Sequence, residues 1–181
     1  MKPIEPIEPL RISTGIEGMD YVLNGGLPAH QLYLIEGEPG SGKTTVGLQF
    51  LRAGVDAGEK VLYVTMSESK QELIAVASSH GWTLDGIDIF EIGSTALDIA
   101  ADQSVLHPSE LELGETADGI LACVMRLEPD RVVLDGLSEM RLLAQDSLRY
   151  RRQILAFKRF FATRRCTVLM LDDQSSRATG M

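Results

Sequence analysis

The chain has little of what metal, disulfide or membrane chemistry needs. Its two cysteines, Cys123 and Cys166, sit in apolar contexts without metal-ligand spacing. They read first as small buried hydrophobes, ahead of a disulfide or a nucleophile. The three histidines, His30, His80 and His107, lie far apart and form no cluster, which fits loop or helix-end residues. No uninterrupted apolar run approaches the roughly 20 residues of a membrane span, and the first residues lack a signal-peptide core. The expectation is a cytoplasmic protein with no membrane contact. Positive charge is short too: 17 Lys and Arg stand against 26 Asp and Glu, a formal net charge of -9. That balance argues against generic nucleic-acid binding, which needs a cationic footprint. The shortage is uneven, since seven of the 17 fall between Arg149 and Arg165. A run of this kind is read as the solvated or partner-facing side of an amphipathic helix.

What the chain does have is a substantial apolar fraction, 44% of 181 residues, enough for one domain with a sizeable core. Its organising stretch is Gly37-Glu38-Pro39-Gly40-Ser41-Gly42-Lys43-Thr44-Thr45. This is G-x-x-x-x-G-K-T, a Walker A phosphate loop. The apolar segment Gln31 to Glu36 precedes it, and a helical pattern through Leu48, Leu51 and Val55 follows. Glycines at 37, 40 and 42 let successive N–H groups point at one anion. The helix starting near Lys43 turns its unpaired amides and positive dipole end to the same place. Lys43 is expected to reach the β- and γ-phosphates and Thr44 to ligate Mg²⁺. This stretch implies a nucleotide-binding protein.

Along the chain, Met1 to Leu10 repeats Pro-Ile-Glu, with prolines at 3, 6 and 9. Proline at every third position favours extended, polyproline-like backbone, hence an arm over 1–10 and a domain over 11–181. The arm has two open readings, a crossing to a neighbouring molecule and a disordered tail. Ser13 or Thr14 is expected to cap a short helix through Leu23. Strands are predicted at Lys60–Thr65, Ile87–Ile92, Arg131–Asp135 and Cys166–Leu171, the last capped by Asp172, Asp173 and Gln174. Helices are predicted from Ser69 to about His80, from Glu115 to Leu127, and as one long helix carrying Ile154, Phe157 and Phe161 on one face. His107 to Leu113 alternates polar and apolar, the pattern of a half-buried edge strand. Strands alternating with helices imply an α/β fold, a mostly parallel sheet with helices on both faces. Ligands bind at the carboxyl ends of such strands. Glu36, Thr65 to Glu68, Asp135 and Asp172-Asp173 all fall there. Asp135 ends an apolar run, the Walker B form, and is the expected second Mg²⁺ residue.

These residues resemble the RecA superfamily, specifically the KaiC/RadA-like ATPases. The likeness runs from Arg11 to Asp20 (with G-I-x-G-x-D), through Gly25-Gly26-Leu27-Pro28, Gly37 to Thr45, Tyr63 to Glu68 and Val132 to Glu139, to Arg151 to Asp173. It implies a RecA-like P-loop fold, ATP with Mg²⁺, sites near subunit boundaries and homo-oligomers, commonly hexameric rings. It also implies further strands after the last one predicted here, leaving open a shortened chain or a naturally short member. KaiC-like ATPases often carry two adjacent glutamates after the second strand, the first activating the attacking water. Here those positions hold Ser67 and Glu68, and a serine hydroxyl is no base near neutral pH. Glu68 is the remaining catalytic candidate beside Lys43. On a regular strand Glu68 points away from the γ-phosphate; at a frayed end it turns in. The implied activity is slow ATP hydrolysis in a regulatory, self-associating module. The alternatives are a non-hydrolysing nucleotide-binding module and a DNA-dependent recombination motor, the latter opposed by the acidic balance. A Ser/Thr autokinase stays open, with no acceptor marked.

Overall fold

Apolar runs alternate with amphipathic segments, and in the computed structural model these runs build one parallel sheet. The structure describes residues 9–92 and 108–173, the side chains of 108–112 apart. Strands β3 (Leu32–Gly37), β4 (Val61–Thr65), β5 (Ile87–Glu91), β6 (Arg131–Asp135) and β7 (Thr167–Asp173) lie in the order β3-β7-β6-β4-β5. Every pairing in this sheet is parallel. A separate antiparallel ribbon joins β1 (Arg11–Ile12) to β2 (Leu27–Pro28). Central β4 and β6 are buried at every position, as apolar runs covered on both faces should be. The edge strands β3 and β5 are partly exposed.

Alternation along the strands divides the core into two layers. Tyr63, Val133, Leu169 and Leu171 face α2 (Lys43–Asp56) and α3 (Lys70–Ser79), meeting Leu48, Phe50, Leu51 and Leu73. Leu62, Leu134, Val168 and Met170 face the other way. There α4 (Pro108–Leu127), α5 (Leu137–Ala144) and α6 (Ser147–Ala162) cover them with Ile120, Val124, Met140, Phe157 and Phe161. The α/β expectation, helices on both faces of a parallel sheet, is what the chain adopts. The register sets Gly37 beside Asp173, Glu36 beside Asp172 and Thr65 beside Asp135, so the polar strand ends form one rim.

Several local expectations are corrected. Ser13 and Thr14 do not cap α1 (Glu17–Val22); its N-cap is Ile16, without a side-chain cap. Both hydroxyls instead bond the Asp20 carboxylate, Ser13 Oγ at 2.5 Å and Thr14 Oγ1 at 2.7 Å. The half-buried strand expected before Leu113 is the first turns of α4, which begins at Pro108. Proline suits a first helical turn, where its missing N–H costs nothing. The long helix after Asp135 is two helices. Gln145 adopts a left-handed conformation (φ 53), and Asp146 starts α6 by accepting a bond from Leu148 N. Ser69 does cap α3, with a capping box to Glu72. Residues 1–8 of the arm expected over 1–10, the stretch 93–107 and Gln174 lie outside the described residues.

Candidate functional site

The loop after β3 is shaped by its glycines. Gly40 and Gly42 take φ of +79 and +91, where a side chain would be strained, and a Cβ on Gly37 would stand 2.6 Å from Ser41 Oγ. Glu38, Pro39, Gly40 and Ser41 are exposed, while Gly42, Lys43, Thr44 and Thr45 are half-buried as α2 begins. Gly42 is the N-cap of α2, with no side-chain cap, and the first turn holds no acid. The contrast with the self-capped α3 is direct: α2 leaves its first amides to whatever anion approaches. Lys43 curls over the loop. Its Nζ donates to Gly37 O at 3.0 Å and Glu38 O at 2.8 Å, and pairs with Asp173 Oδ1 at 2.7 Å.

Thr44 brings the second half of the site in. Its Oγ1 stands 3.4 Å from Asp135 Oδ2 and 3.5 Å from Glu68 Oε1. Glu68 reaches this point because β4 stops at Thr65. There Thr65 Oγ1 accepts from Glu68 N at 3.0 Å and donates to Glu68 O at 2.7 Å, curling the chain inward. The outward-pointing geometry expected of a regular strand is therefore corrected to the turned-in one. Ser67 is exposed. Glu68 Oε2 is buried without a hydrogen-bond partner.

The family model for the KaiC ATPase matches residues 12–181. The chain belongs to the KaiC ATPase family. It is thus a RecA-superfamily P-loop ATPase of the KaiC/RadA-like branch. Among KaiC-family relatives, a UPF0273 protein of Methanopyrus kandleri is 31% identical over 179 residues, covering 94% of this chain and 69% of its own. A UPF0273 protein of Thermotoga maritima is 28% identical over 179 residues, covering 94% of this chain and 72% of its own. The circadian clock oscillator protein KaiC of Prochlorococcus marinus is 33% identical over 130 residues, 71% of this chain and 25% of that one.

The electrostatics of this KaiC-family rim favour a cation. Burial pushes the Asp135 carboxyl above its ordinary value, against the bonds it receives from Tyr63 and Thr44. Burial, and then the charge of Asp135, push Glu68 up as well. Two carboxyls that resist charging, one with an orphaned oxygen, fit a hard divalent ion beside the Thr44 hydroxyl. Among the described residues no group of three or more His, Cys, Asp or Glu is arranged to hold a metal alone. A cation here would therefore draw on the hydroxyl, water and phosphate oxygens.

Sequence reasoning missed the role of one residue. Tyr63, fully buried on β4, donates its hydroxyl to Asp135 Oδ2. Register and parity were the available signal: Tyr63 pairs with Val133, so it shares the α2-side face with Asp135. The Asp172-Asp173 pair also divides by parity. Asp173 meets Lys43, while Asp172, buried, is the ion-pair partner of Arg141 on α5. Both cysteines are free and buried, and burial pushes the Cys166 thiol up to about 12, so they pack as hydrophobes. Among the described residues no helix is long and apolar enough to cross a membrane.

Proposed function

We propose that this chain is a Mg²⁺-dependent ATP-binding module that hydrolyses ATP slowly and acts in regulation through nucleotide-dependent self-association. The observation that supports it most is the meeting of Thr44, Asp135 and Glu68 within 3.5 Å beside an uncapped helix start. In this reading residues 37 to 45 cradle the phosphates with backbone amides, and Lys43 leaves Gly37, Glu38 and Asp173 for the β- and γ-oxygens. Thr44 and Asp135 would hold Mg²⁺, which neutralises charge building on the phosphate oxygens. Tyr63 fixes the Asp135 carboxylate by donating to Oδ2, the same oxygen that faces Thr44. Glu68, its proton affinity raised by burial, orients and deprotonates the attacking water. Slow turnover follows from Ser67, which leaves one carboxylate where KaiC-like patterns carry two.

The second reading, binding without turnover, is favoured by that same Ser67. Phosphate release from Mg²⁺-ATP separates the two. The wild type should turn over, and Glu68→Gln should fall by about a hundredfold or more, the usual worth of a positioned base. Absence of turnover in a wild type that binds ATP supports the second reading. Turnover unchanged in Glu68→Gln but raised in Ser67→Glu would move the base to position 67.

A further inference from the structure

The ammonium of Lys43 has its donors taken up by the chain itself. Nζ donates to Gly37 O at 3.0 Å and Glu38 O at 2.8 Å, and it pairs with Asp173 Oδ1 at 2.7 Å. Ser41 Oγ stands further off at 3.4 Å. These acceptors match the three N–H groups that a lysine carries. The two ends of the ion pair differ in burial: the Lys43 side chain is 10% exposed, that of Asp173 42%. A buried ammonium needs its acceptors. A half-exposed carboxylate that lets go returns to water with little loss.

Topology brings Asp173 to this place. Strand β7 lies between β3, which leads into the phosphate loop, and β6, which ends at Asp135. Asp173 is in register with Gly37, two positions beyond Leu171, the partner of Asp135. Leu169 and Leu171 face the α2 layer. Asp173 follows them by alternation, while Asp172 turns to Arg141 on the other side. An acid thus stands between the phosphate loop and the Asp135 strand, bonded to the lysine that phosphate must recruit. Phosphate binding gives no reason for it, since like charges repel.

We propose that Asp173 is a specificity-determining residue of this site: it competes with the γ-phosphate for Lys43 and so narrows the margin by which ATP is bound over ADP. The inference rests on the ATP-binding reading proposed for the site. The lysine of such a loop serves the β- and γ-phosphates. ADP supplies the first alone, which leaves a donor of Lys43 for Asp173. ATP supplies both, displaces Asp173 and leaves its charge beside the added phosphate. The penalty therefore falls on ATP. It is modest, because Asp173 is half-exposed and water screens it.

Calorimetric titration of ATP and of ADP into the full chain, in excess Mg²⁺, tests it through the ratio of the two dissociation constants. Asp173→Asn should bind ATP about three- to tenfold more tightly and ADP within about twofold of the wild type. Asp173→Ser also removes the charge and should move the ratio the same way, so a folding defect in one variant leaves the other to decide. Glu36→Gln is the control for the general field. Glu36 shares the parity of Leu32, which packs in the α6 layer, so its charge leaves the opposite face of β3. Its ratio should stay within about twofold of the wild type. An unchanged ratio in the Asp173 variants overturns the proposal, as does equal tightening of both nucleotides or an equal rise in Glu36→Gln. Weaker ATP binding in the Asp173 variants overturns it too, and would make Asp173 a helper of the cation. A wild type that binds neither nucleotide sinks the ATP reading itself, and that result needs no variant.

Discussion

Tyr63 is fully buried and aims its hydroxyl at Asp135, although no motif names it. The P-loop residues were legible because their chemistry is local: glycines, lysine and threonine at fixed spacing specify the loop whatever surrounds it. Tyr63 and the Lys43–Asp173 pair were not, because each depends on which strand lies beside which. Glu68 was legible as a candidate but not in its direction, which depends on where β4 ends. The Asp135 site carries a pH signature. A carboxyl with a raised folded pKa stabilises the fold at low pH. That contribution is lost as pH climbs from the ordinary values, 3.8 for Asp135 and 4.5 for Glu68, through the raised ones. Mg²⁺-free protein should therefore lose stability as pH rises through this window. Asp135→Asn removes one such carboxyl and relieves the other. Its Tm in Mg²⁺-free buffer should equal or exceed that of the wild type at neutral pH and vary less with pH. A Tm several degrees lower at neutral pH contradicts the account, as does stabilisation of the variant by Mg²⁺-ATP equal to that of the wild type.

At the scale of elements, α2 is seated by its glycines and by Arg131 at the start of β6. Arg131 is buried and paired with Glu59, and its Nη1 donates to Ser13 O at 2.6 Å and Phe50 O at 3.0 Å. That side chain ties the N-terminal segment, the middle of α2 and the turn after it to the sheet. It cannot easily move. A Cβ on Gly54 would meet Val61 Cγ1 at 2.7 Å and Arg131 Cδ at 2.9 Å. Helix propensity alone favours Gly54→Ala by up to about 1 kcal/mol. Overpacking against fixed neighbours costs about 1–3 kcal/mol, so destabilisation should win. Chemical denaturation checks this; a Gly54→Ala protein more stable than the wild type would show that Arg131 yields. Strands β4, β6 and β7 were legible as continuous apolar runs. The start of helix α4 was hidden because Pro108 to Leu113 alternates by twos, the period of a strand, in a stretch that is helical. The break between α5 and α6 was also hidden, since Gln145 gives no glycine-like sign of a left-handed turn.

Across the whole molecule, the acidic rim holding Glu68, Asp135 and Asp173 and the cationic α6 give the chain opposite charge in different places. The alternation of strands and helices revealed the architecture, whereas the sheet order came only from the three-dimensional pairing. If nucleotide controls assembly, light scattering should give a larger mass with Mg²⁺-ATP than with ADP or no nucleotide. Equal mass in all three states would confine the ATP site to a role within one protomer. The central claim is that residues 37 to 45 with Asp135 bind ATP through Mg²⁺. Calorimetric titration of ATP into the wild type and Lys43→Ala, with and without Mg²⁺, tests it most directly. Loss of charge-assisted bonds worth about 1.5–3 kcal/mol should weaken Lys43→Ala binding by roughly ten- to a hundredfold. Removing Mg²⁺ should weaken the wild type likewise, with the fold intact by circular dichroism. Equal ATP affinity in folded wild type and Lys43→Ala, or affinity indifferent to Mg²⁺, would contradict it.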